Sequence, residues 1–202
     1  MKTKNMTTPP TRKSINRSPF RLGFILITLA LASFAASPGV QAISPTPDGC
    51  YPNFTTAEGC NALNALSTGA GNTGVGWSSL FSNTTGNFNT GIGTGALVTN
   101  NGDSNTATGT AALLLNTAGV ENTAVGTASM VNNDAGNTNT AVGAFALTNN
   151  ISGSNNTAVG DLALQNSTGD FNTALGANAG TDPGIVSNNI YVGDPGFAAM
   201  RM

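Results

Sequence analysis

Polar and apolar residues alternate in a five-residue phrase, read most plainly at Asn122-Thr123-Ala124-Val125-Gly126, that returns almost unchanged down most of the chain. The glycines that close it, Gly59, Gly76, Gly93, Gly109, Gly126, Gly143, Gly160, Gly176 and Gly193, set a period of 17 or 16 residues over nine occurrences. Within the phrase Thr and Val share one face of a two-residue repeat and Asn, Ala and Gly the other, the signature of a short strand. A second apolar pair follows in each period, at Ala62-Leu63, Ser79-Leu80, Ala96-Leu97, Ala112-Leu113, Ser129-Met130, Ala146-Leu147 and Ala163-Leu164, and predicts a second short strand. A polar turn then carries Gly69, Gly86, Gly102, Gly119, Gly136, Gly153 or Gly169, where a positive φ is expected because glycine adopts it cheaply. The 16-residue periods lose their residue just before this glycine.

Two strands and two turns in so short a repeat predict an all-β solenoid, since no coil can bury its own apolar face and each must stack on its neighbours. Coils begin at Thr55, Asn72, Asn89, Asn105, Asn122, Asn139, Asn156 and Asn172, with a partial one at Asn189. Eight coils at the interstrand spacing of about 4.8 Å would extend roughly 40 Å. The leading asparagines would then stack into a side-chain amide ladder. Abundant Gly, Asn and Thr argue against helices.

Composition adds compartment. Charged residues are only 8% of the 202, far below the roughly 25% of ordinary domains. Lys2, Lys4, Arg12, Lys13, Arg17 and Arg21 precede every acidic residue, and the remainder carries Arg201 against nine acids, a net charge of −8. Nucleic acid is therefore not an expected partner, because phosphate neutralisation needs clustered cations. The basic start runs into an apolar stretch over residues 22–36 and then Val40-Gln41-Ala42, which reads as a secretory signal peptide cleaved between Ala42 and Ile43. The apolar run is shorter than the roughly 20 residues of a spanning helix, so the mature chain is expected to have none. The organisation is thus a signal peptide at 1–42, a proline-bearing linker and cap at 43–54, the repeat domain at 55–193 and a tail at 194–202. The expected location is secreted or on a bacterial cell surface.

Cys50 and Cys60 are the only cysteines. Export permits their pairing, which would contribute about 2–3 kcal/mol by closing a short loop, with two free thiols as the alternative. No metal site or cofactor is expected, since there is no histidine and no acid-rich calcium loop. Catalysis is not expected either: Asp103, Glu121, Asp134, Asp161 and Asp170 fall at different coil positions, whereas acid–base chemistry needs groups held as a pair. Trp77, Phe81, Phe145 and Leu162 are expected to fill wider spots or guard the ends. Tyr51 and Phe54 are expected to cap one end, while Asp182-Pro183-Gly184 and Asp194-Pro195-Gly196 break the pattern at the other.

The phrases at residues 122–126, 139–143 and 156–160 resemble the Asn-Ser-Val-Ala-Ile-Gly repeats in the heads of trimeric autotransporter adhesins, the YadA-like left-handed β-roll. The resemblance spans about residues 55–193 and implies a left-handed roll, a homotrimer, and attachment to a host or matrix surface whose ligand is unknown. Family members continue into a stalk and anchor, or a self-cleaving chaperone tail. The sequence in hand ends at Phe197-Ala198-Ala199-Met200-Arg201-Met202 without either, so a secreted head and a truncated frame are both expected readings.

Which face points inward decides the rest. Ala or Gly holds the middle of the phrase at Ala57, Gly74, Gly91, Ala107, Ala124, Ala141, Ala158 and Ala174. With that face inside, Val75, Ile92, Val125, Val142, Val159 and Leu175 form an outer apolar stripe on the order of several hundred Å², enough to favour self-association. With Val inside, a single chain suffices. Thr56, Thr73, Thr90, Thr106, Thr123, Thr140, Thr157 and Thr173 form an unbroken column, which raises ice binding as an alternative to an adhesive rod or an inert spacer, although ice faces use two Thr columns and the neighbour here is apolar.

Overall fold

The computed structural model describes residues 52–182 and 186–193. Every described residue belongs to one compact unit within Ala42–Met202. The calls on cleavage between Ala42 and Ile43, and on Cys50 and Tyr51, therefore concern residues outside those described.

Each phrase becomes one three-residue strand: β1 (Thr56–Glu58), β2 (Thr73–Val75), β3 (Thr90–Ile92), β4 (Thr106–Thr108), β5 (Thr123–Val125), β6 (Thr140–Val142), β7 (Thr157–Val159), β8 (Thr173–Leu175) and β9 (Ile190–Val192). They form one parallel sheet in sequence order. Pairing is in register, Thr123 on Thr140, Ala124 on Ala141 and Val125 on Val142, so equivalent residues stack into columns. About eight coils of parallel β-solenoid result.

The second strand does not form. Two adjacent residues, Ala96 and Leu97, are both fully buried, which an extended strand with alternating side chains cannot achieve. The backbone instead enters the left-handed region at every second residue, φ 54° at Ser78 and 52° at Leu80, 58° at Ala111 and 50° at Leu113. This curls the segment so that both the small residue and the Leu point inward. Coil-to-coil hydrogen bonds survive the curl, as in Leu80 N to Ala96 O at 2.9 Å.

The turn glycines also differ from expectation. None of Gly69, Gly86, Gly102, Gly119, Gly136, Gly153 and Gly169 has a positive φ. They are glycine for want of space: a Cβ on Gly136 would lie 2.4 Å from the carbonyl oxygen of Gly153. The left-handed residue comes two positions later, at Gly71, Phe88, Ser104, Glu121, Thr138, Asn155 and Phe171, and Asn188 follows Val186 in the same way. The phrase-closing glycines from Gly59 to Gly160 meet both constraints, as at Gly126 with φ 134° and the Gly143 carbonyl oxygen 2.4 Å from its Cβ position.

The core is two stripes. Ala57, Ala107, Ala124, Ala141, Ala158 and Ala174 face inward from the strands and meet the column Leu63, Leu80, Leu97, Leu113, Met130, Leu147 and Leu164. Each fully buried Leu contributes about 1.5–3 kcal/mol. In the eighth coil Gly180 takes the Leu position and Tyr191 takes the inward Ala position of β9; an ideal Cβ on Gly180 would stand 2.8 Å from the Tyr191 ring. A large and a small residue have exchanged places. Trp77 is 59% exposed and Phe145 is exposed too, so neither fills the interior, and Phe54 at the N-terminal side of β1 is 95% exposed.

Candidate interaction face

Burial along each strand decides which face points inward. In β5 and β6 the middle Ala is fully buried, while Val125 and Val142 are each 38% exposed and Thr123 and Thr140 half-buried. The same order holds from β1 to β9, so the sheet turns Thr and the β-branched column outward. Going up the sheet the outer apolar column reads Val75, Ile92, Thr108, Val125, Val142, Val159, Leu175 and Val192, beside eight threonines in register. Glu58 is the one charged residue on the strands. The face is regular because neighbouring coils repeat almost the same strand, and its chemistry is methyl and hydroxyl.

Rigid columns beneath hold it. Asn72, Asn89, Asn105, Asn122, Asn139, Asn156 and Asn172 are fully buried. Each Oδ1 accepts the backbone N–H of its equivalent one coil on, from Asn89 N to Asn72 at 2.9 Å through Asn189 N to Asn172 at 3.1 Å. The expected amide ladder is present, with the backbone as its main donor. The Nδ2 of Asn122 donates to the carbonyl of Gly136 at 2.8 Å, and that of Asn139 to Gly153 at 2.8 Å.

A second ladder escaped the sequence reading. Asn83, Asn100, Asn116, Asn133 and Asn150 are fully buried and linked Nδ2 to Oδ1, with 2.7 Å from Asn116 to Asn100 and 2.9 Å from Asn150 to Asn133. Each also donates to its own turn glycine, so the carbonyl of Gly119 collects both Asn105 at 2.8 Å and Asn116 at 2.9 Å. The available signal was spacing: these residues follow the leading Asn by a constant eleven positions in both 16- and 17-residue coils.

The acidic residues do not gather. Asp103 Oδ1 accepts the Asn87 N–H at 2.7 Å, Asp170 Oδ1 accepts the Ser154 N–H at 2.7 Å, and Asp134 accepts the Thr117 hydroxyl. The Asp103 and Asp170 bonds are turn-to-turn ties that extend a third, outer column through Asn137 and Ser154, and the Asp134 bond is a separate tie between turns. Glu121 and Asp161 are exposed. Among the described residues there is no group of three or more acids and cysteines that could hold a metal ion, and no helix long and apolar enough to cross a membrane. Cys60 is exposed just after Gly59.

Comparison with protein-family models, with curated proteins and with solved structures found no match.

Proposed function

We propose that the chain is an exported, non-enzymatic structural protein, similar to the heads of trimeric autotransporter adhesins, whose outward Thr/Val face associates with further copies and leaves the turns free to meet a host or matrix surface. The observation that carries this is the outward Val125 column over an inward Ala124 column. A regular, nearly uncharged stripe of β-branched side chains is what self-association covers, and in-register columns let copies meet coil by coil. Asp103, Asp134 and Asp170 act as turn ties, which supports a non-catalytic role.

The test is to express the whole chain in a secreting host, sequence the N-terminus of the exported product and measure its mass by sedimentation equilibrium. Export with a new N-terminus at Ile43 and a mass three times that of one chain is the expected result. A stable monomer would overturn the trimer.

The outward threonine column favours one second reading, ice binding, because hydroxyl and methyl groups repeat at the strand spacing along the face. A thermal hysteresis measurement on the same product decides it: no hysteresis removes ice as the ligand.

A further inference from the structure

The second asparagine ladder ends at Asn150, two coils before the first, which runs on through Asn156 and Asn172. At the position eleven residues after Asn156 stands Ser167, fully buried, where the preceding coils have asparagine. Its shorter side chain leaves one acceptor without a donor and another with a single one. Asn150 Oδ1, fully buried, has no hydrogen-bond partner, whereas Asn83, Asn100, Asn116 and Asn133 each receive the next amide at that atom. The carbonyl of Gly169 takes Asn156 Nδ2 at 2.9 Å, but among the described residues not the second donor that Gly102, Gly119, Gly136 and Gly153 also receive. At Asn100, Asn116, Asn133 and Asn150 a single Nδ2 serves both acceptors.

We propose that one water molecule occupies this place in the core, donating to Asn150 Oδ1 and to the Gly169 carbonyl and accepting from the Ser167 hydroxyl. The chemistry selects water. The buried Asn150 Oδ1 and the half-buried Gly169 carbonyl call for two donors from one small group, and water supplies both with an acceptor left for the serine O–H. Ser167 Oγ already accepts Asn172 Nδ2 at 3.2 Å, which leaves its proton free to point at the water. Room follows from the repeat itself. Asn100 fits its two extra heavy atoms into an equally short 16-residue coil, with Nδ2 at 2.9 Å from Gly102 O, so serine at the same position opens a space of about one water. A cation would suit the acceptors but not the burial, because no carboxylate lies in either ladder.

Two measurements test this. In water-selective cross-relaxation spectra of the isotope-labelled whole chain, the Asn150 side-chain amide protons should show a long-lived water. A crystal structure at high resolution should place its oxygen within hydrogen-bonding distance of Asn150 Oδ1 and Gly169 O. The Ser167→Asn variant should lose the signal and melt about 2–4 °C higher, since a direct amide replaces an immobilised water. Absence of ordered water at Asn150 in the native chain, or an unchanged water signal in Ser167→Asn, overturns the proposal.

Discussion

Asn133 Nδ2 donates to Asn116 Oδ1 at 2.7 Å and to the Gly136 carbonyl at 3.0 Å, and that same carbonyl takes Asn122 Nδ2 at 2.8 Å. The two asparagine columns are thus knotted at each turn glycine. Fully satisfied buried amides stabilise the coil stack and also set its register, because a slip by one residue would leave a row of polar groups unpaired.

Removing one knot should be costly. Asn122→Ala takes away the acceptor of the buried Asn139 N–H, held at 3.0 Å, and leaves a hole. A loss of about 3 kcal/mol in chemical denaturation is expected, against under about 0.5 kcal/mol for Thr127→Ala on the exposed surface. Asn122→Asp keeps that acceptor but turns an oxygen toward the Gly136 carbonyl. Burial and that carbonyl raise the folded carboxyl pKa above its unfolded value near ~3.9, so the stabilising protonated form is fully present below that value and lost as pH rises through the folded pKa. Asn122→Asp should therefore be much weaker than native at pH 7 and regain part of the difference in acid, with equal losses at both pH values counting against the geometry.

Glycine at the phrase ends is set by two independent constraints. At Gly126, φ is 134° and a Cβ would lie 2.4 Å from the Gly143 carbonyl oxygen; at Gly193, φ is 69° and nothing lies within 4 Å. Gly193→Ala should cost about 1–2 kcal/mol, the left-handed strain alone. Gly126→Ala adds a clash against backbone that cannot move without shifting a coil, and should cost well over ~3 kcal/mol or prevent folding. Thermal melts of the two variants side by side separate strain from contact.

Much of this was legible because the repeat reports its own stacking. The closing glycines gave the period, the leading asparagines gave a buried ladder, and the coil-by-coil register followed. The second ladder was not legible because Asn83 and Asn133 sit in polar turns, where Asn is usually solvated, and they become interior only once the coil closes around the Gly86 and Gly136 carbonyls. Ala96-Leu97 was misread as strand because left-handed backbone at Leu97 is foreign to leucine in isolation. Its cost is offset by burying the side chain. The facing of the Val column was left open by sequence, since Ala124 and Val125 are both apolar and only the narrowness of the closed coil admits one and rejects the other.

The outward column gives a direct prediction for assembly. Val125→Lys with Val142→Lys places two cations on adjacent strands of the exposed face. Lysine stems tolerate such a surface, so the fold should stay within about 1 kcal/mol of native by denaturation. Facing copies would meet like charges, and the sedimented mass should fall to that of one chain. An unchanged multiple would place the contact elsewhere on the coils.

The exchange of size between Gly180 and Tyr191 makes the sharpest test of how the last coils close. Gly180 has φ 63°, close to the 51° of Leu164 at the equivalent place, so its backbone already suits the leucine found in the other coils. What opposes leucine is the Tyr191 ring, 2.8 Å from where its Cβ would stand, together with Leu164 Cδ2 at 2.9 Å, the far end of a flexible side chain. Gly180→Leu alone should therefore overpack the core and cost about 1–3 kcal/mol. Tyr191→Ala alone should leave a cavity over a glycine and cost about 3–5 kcal/mol. The double variant restores the Leu and Ala pairing of the earlier coils, Leu147 against Ala158 among them, and should recover most of both losses, a favourable coupling of about 2 kcal/mol or more in a denaturation cycle. Additive losses would show that Tyr191 is held by its surroundings in β9 rather than by the space that Gly180 leaves.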